Sequence, residues 1–136
     1  MISYDDFQKV EMKAGKILSA EKIPNTDKLL KLSVDFGLKI KTEPVAVEPA
    51  PVLPVEDNLI REVVEERDVR QIVSGIALYF QEPATLIGRT FMFVTNLEPR
   101  QIKGFESNGM ILALKTDSAF SLLEIPDAIV PGTKAN

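Results

Sequence analysis

Fifteen residues, Asn96 to Met110, hold most of the side chains able to engage a ligand. Asn96 brings an amide, Arg100 a guanidinium, Lys103 an ammonium, Ser107 a hydroxyl and Met110 an adaptable thioether. Together these groups suit phosphate, ribose and an unstacked base. Pro99 lacks a backbone donor and biases Glu98 toward an extended conformation, while Gly104 and Gly109 permit backbone angles or close approaches that a side chain would block. The stretch is a shaped connection between two apolar, strand-like runs, Thr90-Phe91-Met92-Phe93-Val94 before it and Met110-Ile111-Leu112-Ala113-Leu114 after it.

Covalent chemistry has little to work with. The chain has no cysteine and no histidine, which removes thiolate and imidazole metal ligands, the disulfide framework and the commonest general base. Ser74 and Ser107 therefore lack a histidine partner, and their hydroxyls serve as hydrogen-bonding groups. No paired-carboxylate site stands out, and no glycine-rich phosphate loop is followed by Lys-Ser/Thr. The expectation is a protein that is not an enzyme and uses no cofactor and no metal.

The 136 residues, 45% hydrophobic, are one domain's worth and can bury a core. No apolar run reaches the roughly 18 residues of a membrane span, and the acidic start at Asp5 and Asp6 is unlike a signal segment, so a cytoplasmic location with no membrane partner is expected. A net charge of −4 argues against a polyanion as ligand. Its distribution answers the objection: residues 41–70 carry four basic and eight acidic groups, and the other residues carry twelve of each. A neutral body can still present a basic face, with weaker binding than a basic one.

The elements around the central stretch read as strands. Ser3 is an N-cap for a short helix through Phe7, and Phe7 and Val10 are expected to plug the core. From Glu11 to Ile23, Met12, Ala14, Leu18 and Ala20 alternate with polar positions in a long strand bent near Gly15. Pro24-Asn25-Thr26-Asp27 is a turn, after which Leu30, Leu32, Val34 and Phe36 alternate with polar residues in the second strand of a hairpin. Pro44, Pro49, Pro51 and Pro54 mark a proline-rich, acidic insertion at about 41–60. Residues 57–66 fit either a short helix or the entry to a strand, and Val69 to Ile76 is a strand ending at Ser74-Gly75. Between Leu78 and Gly88 a short helix begins near Pro83, with Leu86 and Ile87 inward. The apolar tail from Ser121 to Gly132 is a candidate subunit interface. Five strands, a curved first hairpin and a helical connection before the last hairpin give an all-β chain, a five-stranded OB-fold Greek-key barrel with short helices and a C-terminal dimerisation extension, with residues 1–136 as a single domain.

The pattern Asn-Leu-x-Pro-Arg-x-x-x-Gly-x-x-Ser-x-Gly-Met from Asn96 to Met110, with Val73-Ser74-Gly75-Ile76-Ala77, resembles the signature of the tRNA-binding domain family, found fused to methionyl-tRNA synthetases and to the phenylalanyl-tRNA synthetase β chain and as free-standing proteins. The resemblance extends to Asp6-Phe7-x-Lys9-Val10, Gly15-Lys16-Ile17 and Asp27-Lys28-Leu29-Leu30-Lys31-Leu32, and covers nearly the whole chain except about Leu38 to Val69. It implies the same fold, a homodimer, and structure-specific binding of tRNA near its elbow as an auxiliary to a synthetase, methionyl or other, in trans. Arg100 and Lys103, with Lys28 and Lys31 bordering the groove, would hold phosphates; Asn96, Ser74, Ser107, Met110 and the backbone at Gly75 and Gly104 would meet an exposed nucleotide. An alternative of another class is a peptide-binding or chaperone-like module, since some secretion chaperones resemble this family.

Overall fold

The computed structural model describes residues 1–39 and 66–136. The expected insertion at about 41–60, and all of the stretch at 57–66 except Glu66, lie outside the described residues.

The chain starts with one helical turn, α1 (Tyr4–Gln8), capped reciprocally: the Ser3 hydroxyl accepts from Asp6 N–H and the Asp6 carboxylate accepts from Ser3 N–H. None of its residues is buried, and Val10 is also exposed. Phe7 and Val10 thus do not plug the core. The helix is too short to turn an apolar face inward and is held at its end by the Asn96 side chain, which donates to Lys9 O.

Among the described residues ten strands follow, and the four longest set the architecture: β1 (Met12–Lys22), β2 (Leu30–Leu38), β3 (Arg67–Ser74) and β4 (Thr90–Val94). They form one antiparallel sheet in the order β4-β1-β2-β3. Beyond β4 the sheet is continued by two short strands, β7 (Met110–Ile111) at one end and β10 (Glu124–Ile125) at the other. The remaining strands pair as two small hairpins, β5 (Arg100–Ile102) with β6 (Phe105–Ser107) and β8 (Ala113–Lys115) with β9 (Phe120–Leu122).

The sheet curls because β1 and β2 are both irregular. Gly15 leaves room for other rings: a Cβ there would lie 2.6 Å from the side chains of Phe36 and Val34 and 2.9 Å from that of Phe93. The β1–β2 register then shifts between Ile17 and Ser19, and such a bulge changes which residues face inward. Ile17, before the shift, is buried on the same face as Gly15, the reverse of simple alternation from Met12; Leu18 is exposed, and after the shift Ala20 packs against the core. On β2, Leu30, Leu32, Val34 and Phe36 all enter the core as the alternation predicts.

Ile17, Leu30, Leu32, Val34, Phe91 and Phe93 pack with Ile72 and Leu86 in one cluster inside the curl. Between β3 and β4 the expected helix is two 3-10 turns, Ala77–Tyr79 and Pro83–Leu86. Leu86 is fully buried but Ile87 is exposed, because the last turn ends at Leu86 and its extended successor turns outward. The sheet's far edges meet without a ladder: Asn108 N–H donates to Gln71 O, and the buried Ser107 hydroxyl accepts from Val73 N–H. The result is an all-β, barrel-like OB fold. The tail folds back on β1, with Gly132 N–H donating to Ala14 O and Ala135 N–H to Met12 O, leaving Ile129 and Val130 exposed.

Candidate nucleic-acid interface

The central stretch contains a hairpin that sequence periodicity did not show. Its turn, Lys103-Gly104, has φ of 51° and 87°, and two successive positive angles in a two-residue loop match the right-handed twist of the strands. A Cβ on Gly104 would meet nothing within 4 Å, so the glycine serves the backbone angle and not a packing need.

Cross-strand pairing sets the hairpin's faces. Arg100 lies opposite Ser107 and Ile102 opposite Phe105, so these four share a face while Gln101 and Glu106 take the other. Ser107 fixes that face against β3: besides accepting from Val73 N–H at 2.9 Å, its hydroxyl donates to Gly109 O at 3.1 Å. Gln71 Nε2 donates to Glu106 O at 3.0 Å, and the Lys31 ammonium sits 5.1 Å from the centre of the Phe105 ring. Arg100, Phe105 and Ser107 thus share one face of the hairpin, and Lys31 of β2 meets it at the Phe105 ring. Ser107 is 4% exposed and spent on backbone groups, so it holds the hairpin in place.

The arginines divide sharply. Arg67, Arg70 and Arg89 each face a carboxylate, on Asp35, Asp68 and Glu124, through two or more close contacts. Arg70 also donates to Thr95 O at 2.6 Å and ties β3 to the end of β4. Arg100 is exposed and has no carboxylate within 4 Å among the described residues, and the same holds for Lys103 and Lys28. Lys31 is shared, 3.4 Å from Glu21.

Lys28, Ser74 and Gly75 lie where β2 begins and β3 ends. Leu30 pairs with Ser74 and Lys31 with Val73, and Ala77 N–H donates to Lys28 O at 2.9 Å. A Cβ on Gly75 would come only as near as 4.0 Å to Lys28 O, and its φ is not in the left-handed region. Neither packing nor backbone angle requires glycine there, which leaves an open approach to the main chain.

Asn96 is exposed but engaged. Its amide oxygen accepts from Glu11 N–H at 2.9 Å and its amide nitrogen donates to Lys9 O at 2.7 Å, tying the end of α1 to the loop after β4. Met110 pairs with Val94 on β7 and is 47% exposed. Thus Arg100 and Lys31 share one surface with Phe105, Lys28, Ser74 and Gly75 lie at the neighbouring strand ends, Lys103 and Gly104 form the hairpin tip, and Asn96 is committed to the N-terminal segment. Sequence reasoning missed Phe105 and Gln71. An aromatic between Gly104 and Glu106 at the hairpin signature was the available signal for the first; nothing flagged the second.

Among the described residues no helix is long and apolar enough to cross a membrane, and no cluster of three carboxylates could hold a metal ion. The surface offers cations, donors and a ring, and supports recognition of a polyanion with exposed bases.

Residues 45–134 match the family described as "Putative tRNA binding domain". The chain is similar to the methionine-tRNA ligase of Methanoregula boonei, 42% identical over 134 residues that make up 98% of this chain and 15% of that protein, and to the ligase of Thermotoga maritima, 35% identical over 99% of this chain and 17% of that protein. The chain therefore spans only a small part of these relatives. Among solved structures it resembles the MetRS related protein from Pyrococcus horikoshii, with a TM-score of 0.73 and 32% identity over 99% of this chain and 97% of that one. It also resembles the chaperone CsaA of Bacillus anthracis, with a TM-score of 0.69, 22% identity and coverage of 100% and 99%, a likeness of fold alone. This chain belongs to the tRNA-binding domain family.

Proposed function

We propose that the chain is a non-catalytic, structure-specific tRNA-binding module that works in the cytoplasm as a homodimer, and as an auxiliary to an aminoacyl-tRNA synthetase, methionyl or other. The observation that carries this reading is Arg100: among the described arginines it has no carboxylate partner, and it stands on a rigid hairpin face beside Phe105 and Lys31. A guanidinium left free beside an aromatic ring suits a phosphate and the base next to it. Lys103 and Lys28 add phosphate contacts, and Ser74, Gly75, Gly104 and Met110 border the nucleotide. Asn96 and Ser107 act mainly by holding the loop and hairpin in register. Holding tRNA near a synthetase raises its effective concentration there.

Homodimerisation is assigned to the exposed Leu38 and Val130, which line one groove of about 750 Å³ with Phe36 and Pro131. Light scattering should give twice the chain's mass, and Val130→Asp should return it to one. RNA copurifying with the tagged protein from cells, once sequenced, should be dominated by tRNA; a pool resembling total RNA would end the proposal. The same groove supports a second reading, a peptide-binding module. Such a module would retain its partners in pull-downs when tRNA is added and when Arg100 and Lys103 are replaced.

A further inference from the structure

A second aromatic site lies outside the hairpin surface. Tyr79 and Phe120 stack with ring centres 3.9 Å apart and planes 3° apart, and Phe80 meets Phe120 edge-on at 5.9 Å. These rings border a pocket of about 440 Å³ that is also lined by Phe91 and the Arg89–Glu124 pair. That pair is bidentate, at 3.0 and 2.8 Å. Its opposite charges cancel, yet Arg89 keeps donor capacity and Glu124 keeps lone pairs at the pocket wall. Lys115 stands beside Tyr79, 5.7 Å from the ring centre. It is fully exposed, and the Tyr79 hydroxyl holds its ammonium above the ordinary lysine value, so it is a cation at any working pH. No carboxylate lies within 4 Å of it among the described residues, including Asp117 in the adjoining turn.

We infer that this pocket is a second nucleotide subsite, taking one unstacked base against the Tyr79–Phe120 rings while Lys115 holds a phosphate beside it. The inference rests on the tRNA-binding reading and extends it. A base explains what an apolar peptide side chain does not: a neutral donor-and-acceptor pair lining the same pocket as the rings can read the polar edge of a planar heterocycle, and a cation without a carboxylate partner beside the ring stack suits the backbone that such a base brings with it. The position agrees. Tyr79 ends the 3-10 turn whose first residue, Ala77, is bonded to Lys28 O, so the pocket adjoins the Lys28–Gly75 part of the surface.

Binding of unfractionated tRNA by the full chain separates the possibilities. Tyr79→Ala should weaken binding by about fivefold or more, Tyr79→Phe by less than about twofold because the ring remains, and Lys115→Ala should weaken it with a salt dependence shallower by about one charge. Lys115 is on the surface, so its variant decides the matter if Tyr79→Ala fails to fold. If Arg100→Ala weakens binding while Tyr79→Ala and Lys115→Ala leave it unchanged, this subsite is overturned and the hairpin reading stands. If none of the variants, Arg100→Ala included, changes it, both fall. A hydrophobic peptide that fills the pocket without displacing tRNA would also overturn the subsite.

Discussion

The amide of Asn96 reaches across the chain to Glu11, accepting its N–H at 2.9 Å while donating to Lys9 O at 2.7 Å. With Thr95, whose N–H and hydroxyl also donate to Glu11, this side chain fixes where the N-terminal segment enters the sheet and where the loop toward Arg100 leaves it. Asn96→Ala should cost about 1–2 kcal/mol, because two hydrogen bonds are lost at an exposed site. Differential scanning calorimetry should show the melting temperature falling by about 3–10 °C, whereas Arg100→Ala, which removes a side chain without a carboxylate partner, should leave it nearly unchanged.

Lys103 sits at φ 51° immediately before Gly104 at 87°. Asparagine tolerates this left-handed conformation better than lysine, and Asn-Gly is the preferred pair for such a turn. Lys103→Asn should therefore raise or preserve the melting temperature while weakening tRNA binding severalfold through the lost charge. Loss of both stability and binding would show that the lysine stem packs.

Gly15 has no space for a methyl group, with Phe36 and Val34 side-chain atoms 2.6 Å from where it would stand. Gly15→Ala should destabilise by about 1–3 kcal/mol as these rings and branches shift, measured by urea denaturation. Gly75→Ala should cost little in the same assay, since its nearest neighbour would be 4.0 Å away, and any loss of tRNA affinity in that variant reports ligand approach.

Acid sensitivity follows from three carboxyls. The Thr95 hydroxyl holds Glu11 below its ordinary value of 4.5. Burial pushes Asp35 up, but the Arg67 guanidinium and the Gly37 N–H outweigh it and hold the group below 3.8. Arg89 holds Glu124 below 4.5. Folded-state values lowered in this way mean that the unfolded chain takes up protons first, so the stabilisation is complete above about pH 4.5–5 and is lost as pH falls through the folded values. With no histidine in the chain, the melting temperature should be flat from pH 7 to about 5 and decline below about pH 4. Asp35→Asn should be less stable at neutral pH and show a shallower acid decline. A fall already between pH 7 and 6 would contradict these assignments.

Much of this was legible in the residues. The alternation Leu30, Leu32, Val34, Phe36 is a buried sheet face, and Ser3 is the N-cap of a short helix. Other features depend on distant contacts. Ile17 enters the core with Gly15, and the shift between Ile17 and Ser19 leaves Leu18 outside and brings Ala20 against the core; no local period encodes a bulge. Gly104 permits backbone angles that a side chain would block, but its φ and that of Lys103 become meaningful only once β5 and β6 pair. Asn96 and Ser107 carry groups that suit a ligand, yet their partners, 85 and 34 residues away, are invisible to sequence spacing. Lys31 and Phe105 meet for the same reason, through tertiary pairing alone.

The free guanidinium of Arg100 is the central claim, and titrating bulk tRNA at two salt concentrations with the wild-type chain and Arg100→Ala tests it most directly. The wild type should bind at low salt and weaken as salt rises; Arg100→Ala should bind about tenfold less tightly, with an unchanged melting temperature and a smaller salt slope. Absence of binding at low salt, or equal affinities for the two proteins, would contradict it.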